Sequence, residues 1–399
     1  MKASITAMNK IILLFDISEQ YGQNLLSGIV NYYKENEPAL FCRMPIYYRE
    51  KIGIKGILKF AKEWGAQGII AQLDNTRDVK KIADSGIHLI LEDFKERFDE
   101  YPNITGGYYE AGQMGAEYFF KKGFKNFAFY GFRNIVWSRE RLEGFEDYLN
   151  TRGFEVYNFE HEELHVTDLW FYKPSALSKW LKSLPKPIAI MACDDARGQH
   201  ITEACKHANI KIPQDVAVLG VDNDEMTCNL SDPPISSVSL DTEKGGYEAA
   251  RLMDLMIKGK TKKPRNVMVM PTYIVTRQST DITATTNAHI AIALNYIHKN
   301  IEKNINVSNV LTQIPTSRRS LEKRFHEVTG TSVYKYILRL KMQRFSQRLL
   351  KTDKRISEIA LDAGITLTNN LSRQFKQIHG CTPGEYRKKH LPDKMSKAT

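Results

Sequence analysis

Along the first 280 residues, short apolar runs alternate with stretches whose apolar positions fall three and four residues apart. The runs predict strands at Ile11–Phe15, Gly68–Gln72, His88–Leu91, Asn126–Tyr130, Ile188–Ala192 and Val216–Val221. The spaced stretches predict helices at Tyr21–Lys34, Gly53–Trp64, Tyr109–Lys122, Ser138–Asn150, Lys173–Leu184 and Arg197–Ala208. Strand and helix in alternation mark β-α-β units around parallel sheets, so this part is expected to be a two-lobed α/β body.

From Ala288 the pattern changes to helices alone. An amphipathic stretch, Ala288–Lys299, leads to Ser308, which is expected to cap a short helix ending near Ile314. Ser317 is the next expected cap, and Leu321, Phe325 and Val328 at i, i+4 and i+7 then form one buried stripe. A linking helix is predicted over Ser332–Leu350. After it a helix begins at Ile356 and Gly364 closes it, while Thr366–Ile378 carries a second stripe of Leu371, Phe375 and Ile378. The reading is a body over 1–280, a connection over 281–287, and an all-α domain over 288–399 with two helix-turn-helix units.

Charge separates the same two parts. Residues 288–399 hold 21 Lys and Arg against 8 Asp and Glu, a net of +13, whereas the other 287 residues hold 36 against 38, a net of −2. A basic end on a near-neutral body points to a polyanion, and duplex DNA is the expected partner. The 42% hydrophobic and 26% charged content is that of an ordinary globular protein. The only apolar run near the start, Ile11–Phe15, ends at Asp16, so neither a signal-peptide core nor a membrane span is read, and the expectation is a cytoplasmic protein with no membrane partner. Five scattered cysteines without a C-x-x-C pair read as reduced thiols, with no metal and no cofactor expected.

Several predicted strands end in acids: Asp16, Glu92 with Asp93, Asp194 with Asp195, and Asp222. The carboxyl edge of a parallel sheet is where ligands bind, so the recurrence predicts a polar cleft. A sugar suits it, because carboxylates accept from hydroxyls, a guanidinium donates back and an aromatic face covers the ring. The candidate set is Asp16, Tyr21, Trp137, Arg141, Asp194 and Asp222. Asp194 and Asp195 serve equally well as helix caps, Asp222-Asn223-Asp224 as a structural turn, and Trp137 as core.

In the basic domain, the first stripe leaves Arg318, Arg319, Glu322 and Lys323 outward, and the second leaves Asn369, Asn370 and Arg373 on or near the outer face. Arg suits guanine, Asn adenine and Glu cytosine, while Lys most often meets phosphate. The plain alternative for the first set is a solvated face with an Arg318–Glu322 pair.

Two resemblances sharpen these readings. FAFYGFRNIVWSRERLEGF (127–145) looks like the strand–loop–helix of the LacI/GalR-type periplasmic-binding-protein fold, with Arg141, Gly144 and Phe145 at its matching positions. IPQDVAVLGVDNDEMT (212–227) and PPISSVSLD (233–241) resemble that family's late strand and its return crossing, which implies a ligand role for Asp222. The family's usual Asn-Asp reads Asp194-Asp195 here, and its usual Asp near the lobe crossing is replaced around Gly107–Tyr109. In the tail, ISEIALDAG followed by LSRQFKQIHGCTPGEYR (371–387) resembles the AraC/XylS signature, with Pro315 where the first turn often has Gly and Leu371 in place of a common aromatic. That family joins two helix-turn-helix units by one helix and reads successive major grooves.

Together the resemblances imply a sequence-specific transcription regulator, an activator of sugar-utilisation genes controlled by a pentose such as xylose. They imply a homodimer, with RNA polymerase as a further partner, and not an enzyme. The alternatives are a sugar-acting enzyme, for which no G-x-x-x-x-G-K-[ST] or H-E-x-x-H motif or convincing nucleophile is present, and a transport-type sugar-binding protein, opposed by the missing signal peptide and the basic tail.

Overall fold

The computed structural model describes residues 8–161, 174–261, 265–281, 287–301, 303–329, 331–352, 354–365 and 371–390. It divides into two compact units, residues 1–280 and 281–399.

The first unit is built as strand–helix repeats: β1 (Asn9–Leu14), α1 (Gln20–Glu35), β2 (Ala39–Arg43), α2 (Ile46–Trp64), β3 (Gly68–Gln72), α3 (Thr76–Ala83), β4 (His88–Glu92) and β5 (Asn103–Gly106). After a crossing come α4 (Tyr108–Lys121), β6 (Phe127–Phe132), α5 (Val136–Asn150), β7 (Val156–His161), α6 (Pro174–Ser183), β8 (Ile188–Ala192), α7 (Asp195–Ala208), β9 (Val216–Val221), α8 (Glu225–Leu230) and β10 (Ser236–Leu240). The chain then returns through α9 (Thr242–Ile257), β11 (Val267–Val269) and β12 (Pro271–Val275).

Two six-stranded sheets result, in the orders β11-β5-β4-β3-β1-β2 and β12-β10-β9-β8-β6-β7. All ladders are parallel except β10 with β12. Every residue of β6, β8 and β9 is buried, as expected of parallel strands covered on both faces. One core packs α1 and α9 on the first sheet, through Leu25, Ile29, Ala250 and Met253 against Ile11, Ile70 and Ile90. Another packs α6 and α7 on the second sheet, through Leu177, Leu181, Ile201 and Cys205 against Ile190 and Val218.

The chain passes between the lobes three times, at Gly106–Gly107, at Leu240–Asp241 and at Met270, and two of these segments are sewn to the third. Gly107 N–H donates to the Val269 carbonyl (2.9 Å), and Asp241 N–H donates to the Met270 carbonyl (3.0 Å).

The second unit is helical: α10 (Ala288–Asn300), α11 (Val307–Leu311), α12 (Arg318–Thr329), α13 (Val333–Lys351), α14 (Ile356–Asp362), α15 (Leu371–His379) and α16 (Pro383–His390). Helix α13 joins the two halves, with Phe325 of α12 edge-on to Tyr336 (5.4 Å) and Phe375 of α15 edge-on to Phe345 (5.5 Å). The fold class is therefore the α/β two-lobed body followed by an all-α domain that the pattern predicts.

Some local expectations change. The cap of α11 is Asn306, not Ser308, because Asn306 and Asn309 exchange side-chain to backbone bonds in a reciprocal box (3.1 and 2.9 Å). Ile378 is 41% exposed, so the second stripe ends at Phe375, whose ring meets Tyr386 of α16 at 5.4 Å. Gly364 does close α14, with a left-handed φ of 67°. The turn after α11 needs no such residue: Thr312 stays right-handed (φ −64°, ψ −15°) and the chain passes Pro315 through bonds from Gln313 to Val310 and from Ile314 to Leu311.

Candidate functional site

The carboxyl ends of strands from both sheets face one cavity of about 420 Å³. The first lobe supplies Asp16 and Ser18 from the loop after β1, Glu19, Tyr21 and Gly22 at the start of α1, Gln72 from β3, and Glu92 and Asp93 from the end of β4. The second supplies Tyr108 of α4, Phe132 of β6, Trp137 and Arg141 of α5, Asp194 after β8, Arg197 and His200 of α7, and Asp222 after β9. All six residues anticipated from sequence, Asp16, Tyr21, Trp137, Arg141, Asp194 and Asp222, line this one cavity.

Arg141 is its central cation. Its guanidinium donates to the Cys193 carbonyl (2.5 Å) and to Asp222 Oδ1 (3.1 Å), and lies over the rings of Trp137 (5.3 Å) and Tyr108 (5.5 Å). Helix α5 can bring Arg141 this deep because Gly112 and Gly144 let two helix backbones touch. A Cβ on Gly144 would sit 2.0 Å from the Tyr109 carbonyl oxygen, and one on Gly112 would sit 2.0 Å from that of Arg141.

Asp222 follows β9 with φ 94° and Asn223 with φ 52°, two non-glycine residues in a sparsely occupied region. Outliers of this kind cluster at functional sites, and here the turn aims Asp222 at Arg141. Burial pushes the Asp222 carboxyl up, against the pull of Arg141.

Asp194 does two things. As the cap of α7 it accepts from Arg197 N–H (2.7 Å), and the same oxygen pairs with Arg197 Nε (2.7 Å). Burial alone would raise its carboxyl, but the Arg197 guanidinium holds it below the usual carboxylate range. Asp195 is structural, accepting the Asp224 N–H (2.7 Å) beneath the β9 turn.

Four buried polar atoms of the lining have no protein partner: Tyr21 Oη, Glu92 Oε2, Asp93 Oδ1 and Arg141 Nε. Buried polar groups are nearly always satisfied by protein or by ordered water, so these unpaired donors and acceptors mark the lining as polar on both sides of the cavity. Burial, with Asp93 and Asp16 adding to it, pushes the Glu92 carboxyl up to about 8.

Glu92 and Asp93 carried a sequence signal, ending a predicted strand, but stood outside the candidate set. Phe132 at the end of β6, Arg197 three residues after Asp194 and Tyr108 in the crossing where the resemblance departs also stood at signalled places without entering the set; Arg197 lies over Phe132 at 4.9 Å.

In the second unit, Arg318, Arg319 and Lys323 are exposed on α12 and Arg373 on α15. Asn369 and Asn370 lie outside the described residues. Glu322 departs from its expected place on the open face: its Oε2 accepts from Val333 N–H (3.2 Å) at the start of α13, which leaves less of the carboxylate for a base. Other charges are also used internally. Buried Lys341 donates to the Gly364 carbonyl (2.6 Å), Arg348 to the Asp362 carbonyl, and Arg387 to those of Leu349 and Lys354 (3.0 Å each). These cations close helix ends rather than cover a surface.

Residues 116–280 match a periplasmic binding protein-like domain and residues 311–389 a helix-turn-helix domain. The xylose operon regulatory protein of Haemophilus influenzae is 28% identical over 385 residues, covering 95% of this chain and 98% of that one. Its namesake from Escherichia coli K12 is 27% identical over 389 residues, covering 96% and 97%. Among solved structures, that of the xylose-binding transcription activator xylR aligns with a TM-score of 0.66 and 26% identity, covering 97% of this chain and 100% of that one. With both domains matched in this order and the likeness running nearly end to end, the chain has the two-part build of a sugar-responsive DNA-binding regulator, a periplasmic-binding-protein-like body followed by an AraC-type helix-turn-helix domain, and is similar to the xylose operon regulatory proteins.

Proposed function

We propose that a pentose, with xylose the first choice, occupies the interlobe cavity and controls sequence-specific DNA binding by the helical domain, activating sugar-utilisation genes. The observation that carries this reading is the set of unpartnered buried atoms, Tyr21 Oη, Glu92 Oε2, Asp93 Oδ1 and Arg141 Nε, lining a cavity that also holds Asp16, Asp194 and Asp222. Ring hydroxyls would satisfy them, with Trp137 covering the apolar side. The names of the relatives support xylose and activation.

For DNA, Arg318, Arg319 and Lys323 on α12 and Arg373 on α15, with Asn369 and Asn370 just ahead of it in sequence, are the reading residues, and Glu322 serves chiefly to accept from Val333 N–H at the start of α13. Helix α13 has 19 residues, roughly 28 Å at 1.5 Å per residue, close to the ~34 Å between successive major-groove faces. We take the regulator to be a cytoplasmic homodimer that presents paired helical domains to two half-sites and engages RNA polymerase, and to be non-catalytic. In support of the last point, Arg197 holds Asp194, Arg141 holds Asp222 and Asp195 supports the β9 turn, so these acids are committed to structure and binding. Sugar can switch the protein only by binding one lobe arrangement better than another.

Calorimetry with xylose, arabinose, ribose and glucose, alongside a gel shift on the protein's own promoters, tests the proposal. Binding of a pentose without turnover, with a preference for promoter over random duplex, is expected. Turnover, or indifference to sequence, would contradict it.

A further inference from the structure

Asp93 divides its two oxygens between two tasks. Oδ1 is buried without a protein partner, on a residue that lines the cavity, while Oδ2 accepts from Arg97 Nη2 (2.7 Å), from Arg97 Nε (3.0 Å) and from Thr105 Oγ1 (2.6 Å). Thr105 sits on β5 directly before the Gly106–Gly107 crossing. The other side of the Arg97 guanidinium reaches across to the second lobe, where Nη1 and Nη2 grip the two oxygens of Glu140 on α5 (2.9 and 3.1 Å). Glu140 is the neighbour of Arg141, a cavity residue whose Nε is likewise buried without a protein partner. A backbone bond runs beside this bridge, from Val136 N–H of α5 to the Phe94 carbonyl (2.8 Å).

One side chain therefore joins an unsatisfied cavity carboxylate, the strand that enters the lobe crossing, and the helix that carries the central cation. Fork-to-fork guanidinium–carboxylate contacts are directional, so they fix orientation more tightly than a point charge does. We propose that Arg97 is a positioning residue that couples occupancy of the cavity to the arrangement of the two lobes, through Asp93 on one side and Glu140 on the other. A guest seated between Asp93 and Arg141 would press on both ends of the bridge at once. It would thereby favour the arrangement in which Arg97 spans the lobes, and the bridge in turn would favour the guest. Arg97 touches no guest itself. This inference rests on the reading of the cavity as a sugar site.

The test is a double-mutant cycle on the full-length protein: wild type, Arg97→Met, Glu140→Gln, the double variant, and Arg97→Lys. Two quantities are measured for each: the dissociation constant for xylose, and the melting temperature without ligand. Removing either end of the bridge is expected to weaken xylose binding about tenfold, within the usual range of coupling between sites. The double variant should be no weaker than either single one, and Arg97→Lys should recover little, since an ammonium cannot make the paired contacts. In the ligand-free melts the two substitutions should likewise be non-additive. Additive losses, or unchanged xylose affinity in variants that melt like wild type, would overturn the proposal. If the wild type binds none of the pentoses, the sugar reading fails, and the ligand-free cycle then decides the bridge by itself: additivity there rules out the coupling.

Discussion

Replacing Arg141 with Met is the most informative perturbation of the cavity. Met keeps most of the side chain's volume and removes its charge, so the packing of α5 on α4 survives while two electrostatic ties are lost. Arg141 is 2% exposed and pairs with Asp222, which burial already pushes toward its neutral form. Deleting one member of a buried pair typically costs about 3–5 kcal/mol, because the remaining charge has no partner. A first result is therefore a marked loss of thermal stability. Independently, the guest loses a charged donor worth about 1.5–3 kcal/mol, which weakens binding roughly 10- to 150-fold.

The two effects separate in the double variant Arg141→Met/Asp222→Asn, where no buried charge is orphaned. Stability should return toward wild type while the xylose dissociation constant stays weak. Isothermal calorimetry and thermal melts on the three proteins read both numbers. A folded Arg141→Met protein with wild-type affinity would refute the assignment of Arg141 as the central donor.

Other outcomes follow from the same geometry. Glu92 in the folded protein keeps its proton up to pH about 8, whereas an unfolded chain releases it near 4.5. The folded state thus holds the extra proton between these values, and the stability contributed by Glu92 is full below about 4.5 and lost as pH rises through about 8. Glu92→Gln, neutral throughout, should show a smaller fall in melting temperature between pH about 5 and about 8.5 than wild type; an equal fall would contradict the assignment. Arg373→Ala and Arg319→Ala should each weaken promoter binding by about 1–3 kcal/mol and relax base preference at one position, whereas Lys323→Ala should lower the salt slope by about one, all measurable by fluorescence anisotropy. Glu322→Ala should cost about 0.5–1.5 kcal/mol of stability through loss of its bond to Val333 N–H beside the Ser332 cap of α13, with base preference retained; a changed preference at unchanged stability would return Glu322 to the reading surface. Gly144→Ala should destabilise by about 1–3 kcal/mol in denaturant unfolding, since its Cβ meets the Tyr109 carbonyl.

The sequence carried the central apolar strands but not the edge strands, nor the short interior β5 (NITG) and β10 (SSVSL), whose polar residues break the apolar run. Strands β3, β8 and β9 are covered on both faces and so read as unbroken apolar runs, while edge strands such as β2 (ALFCR) and β12 (PTYIV) are half exposed and β11 spans three residues. The cavity acids were legible because parallel strands deliver their carboxyl ends to one edge, and Asp16, Asp194 and Asp222 each stand just past such an end. Arg197 stands at the i,i+3 spacing that pairs it with the cap Asp194, and Tyr108 lies in the lobe crossing, so what kept both out of the candidate set was residue type rather than position. Glu322 shows the converse limit: periodicity placed it correctly off the buried stripe, yet only the fold brings the free N–H of Val333 within its reach. The bridge of Arg97 to Glu140 spans 43 positions and leaves no pattern at all in sequence.

The account stands on a sugar cavity governing a DNA-reading domain, and one titration addresses both at once. Full-length wild type and Arg141→Met are titrated onto labelled duplexes, one from the protein's own sugar-operon promoter and one scrambled, at fixed moderate salt with and without xylose. Wild type should prefer the promoter and should change its binding when xylose is added, while Arg141→Met should keep the preference and lose the response at the same xylose concentration. Equal binding to both duplexes, or a xylose response undiminished by the loss of Arg141, would contradict it.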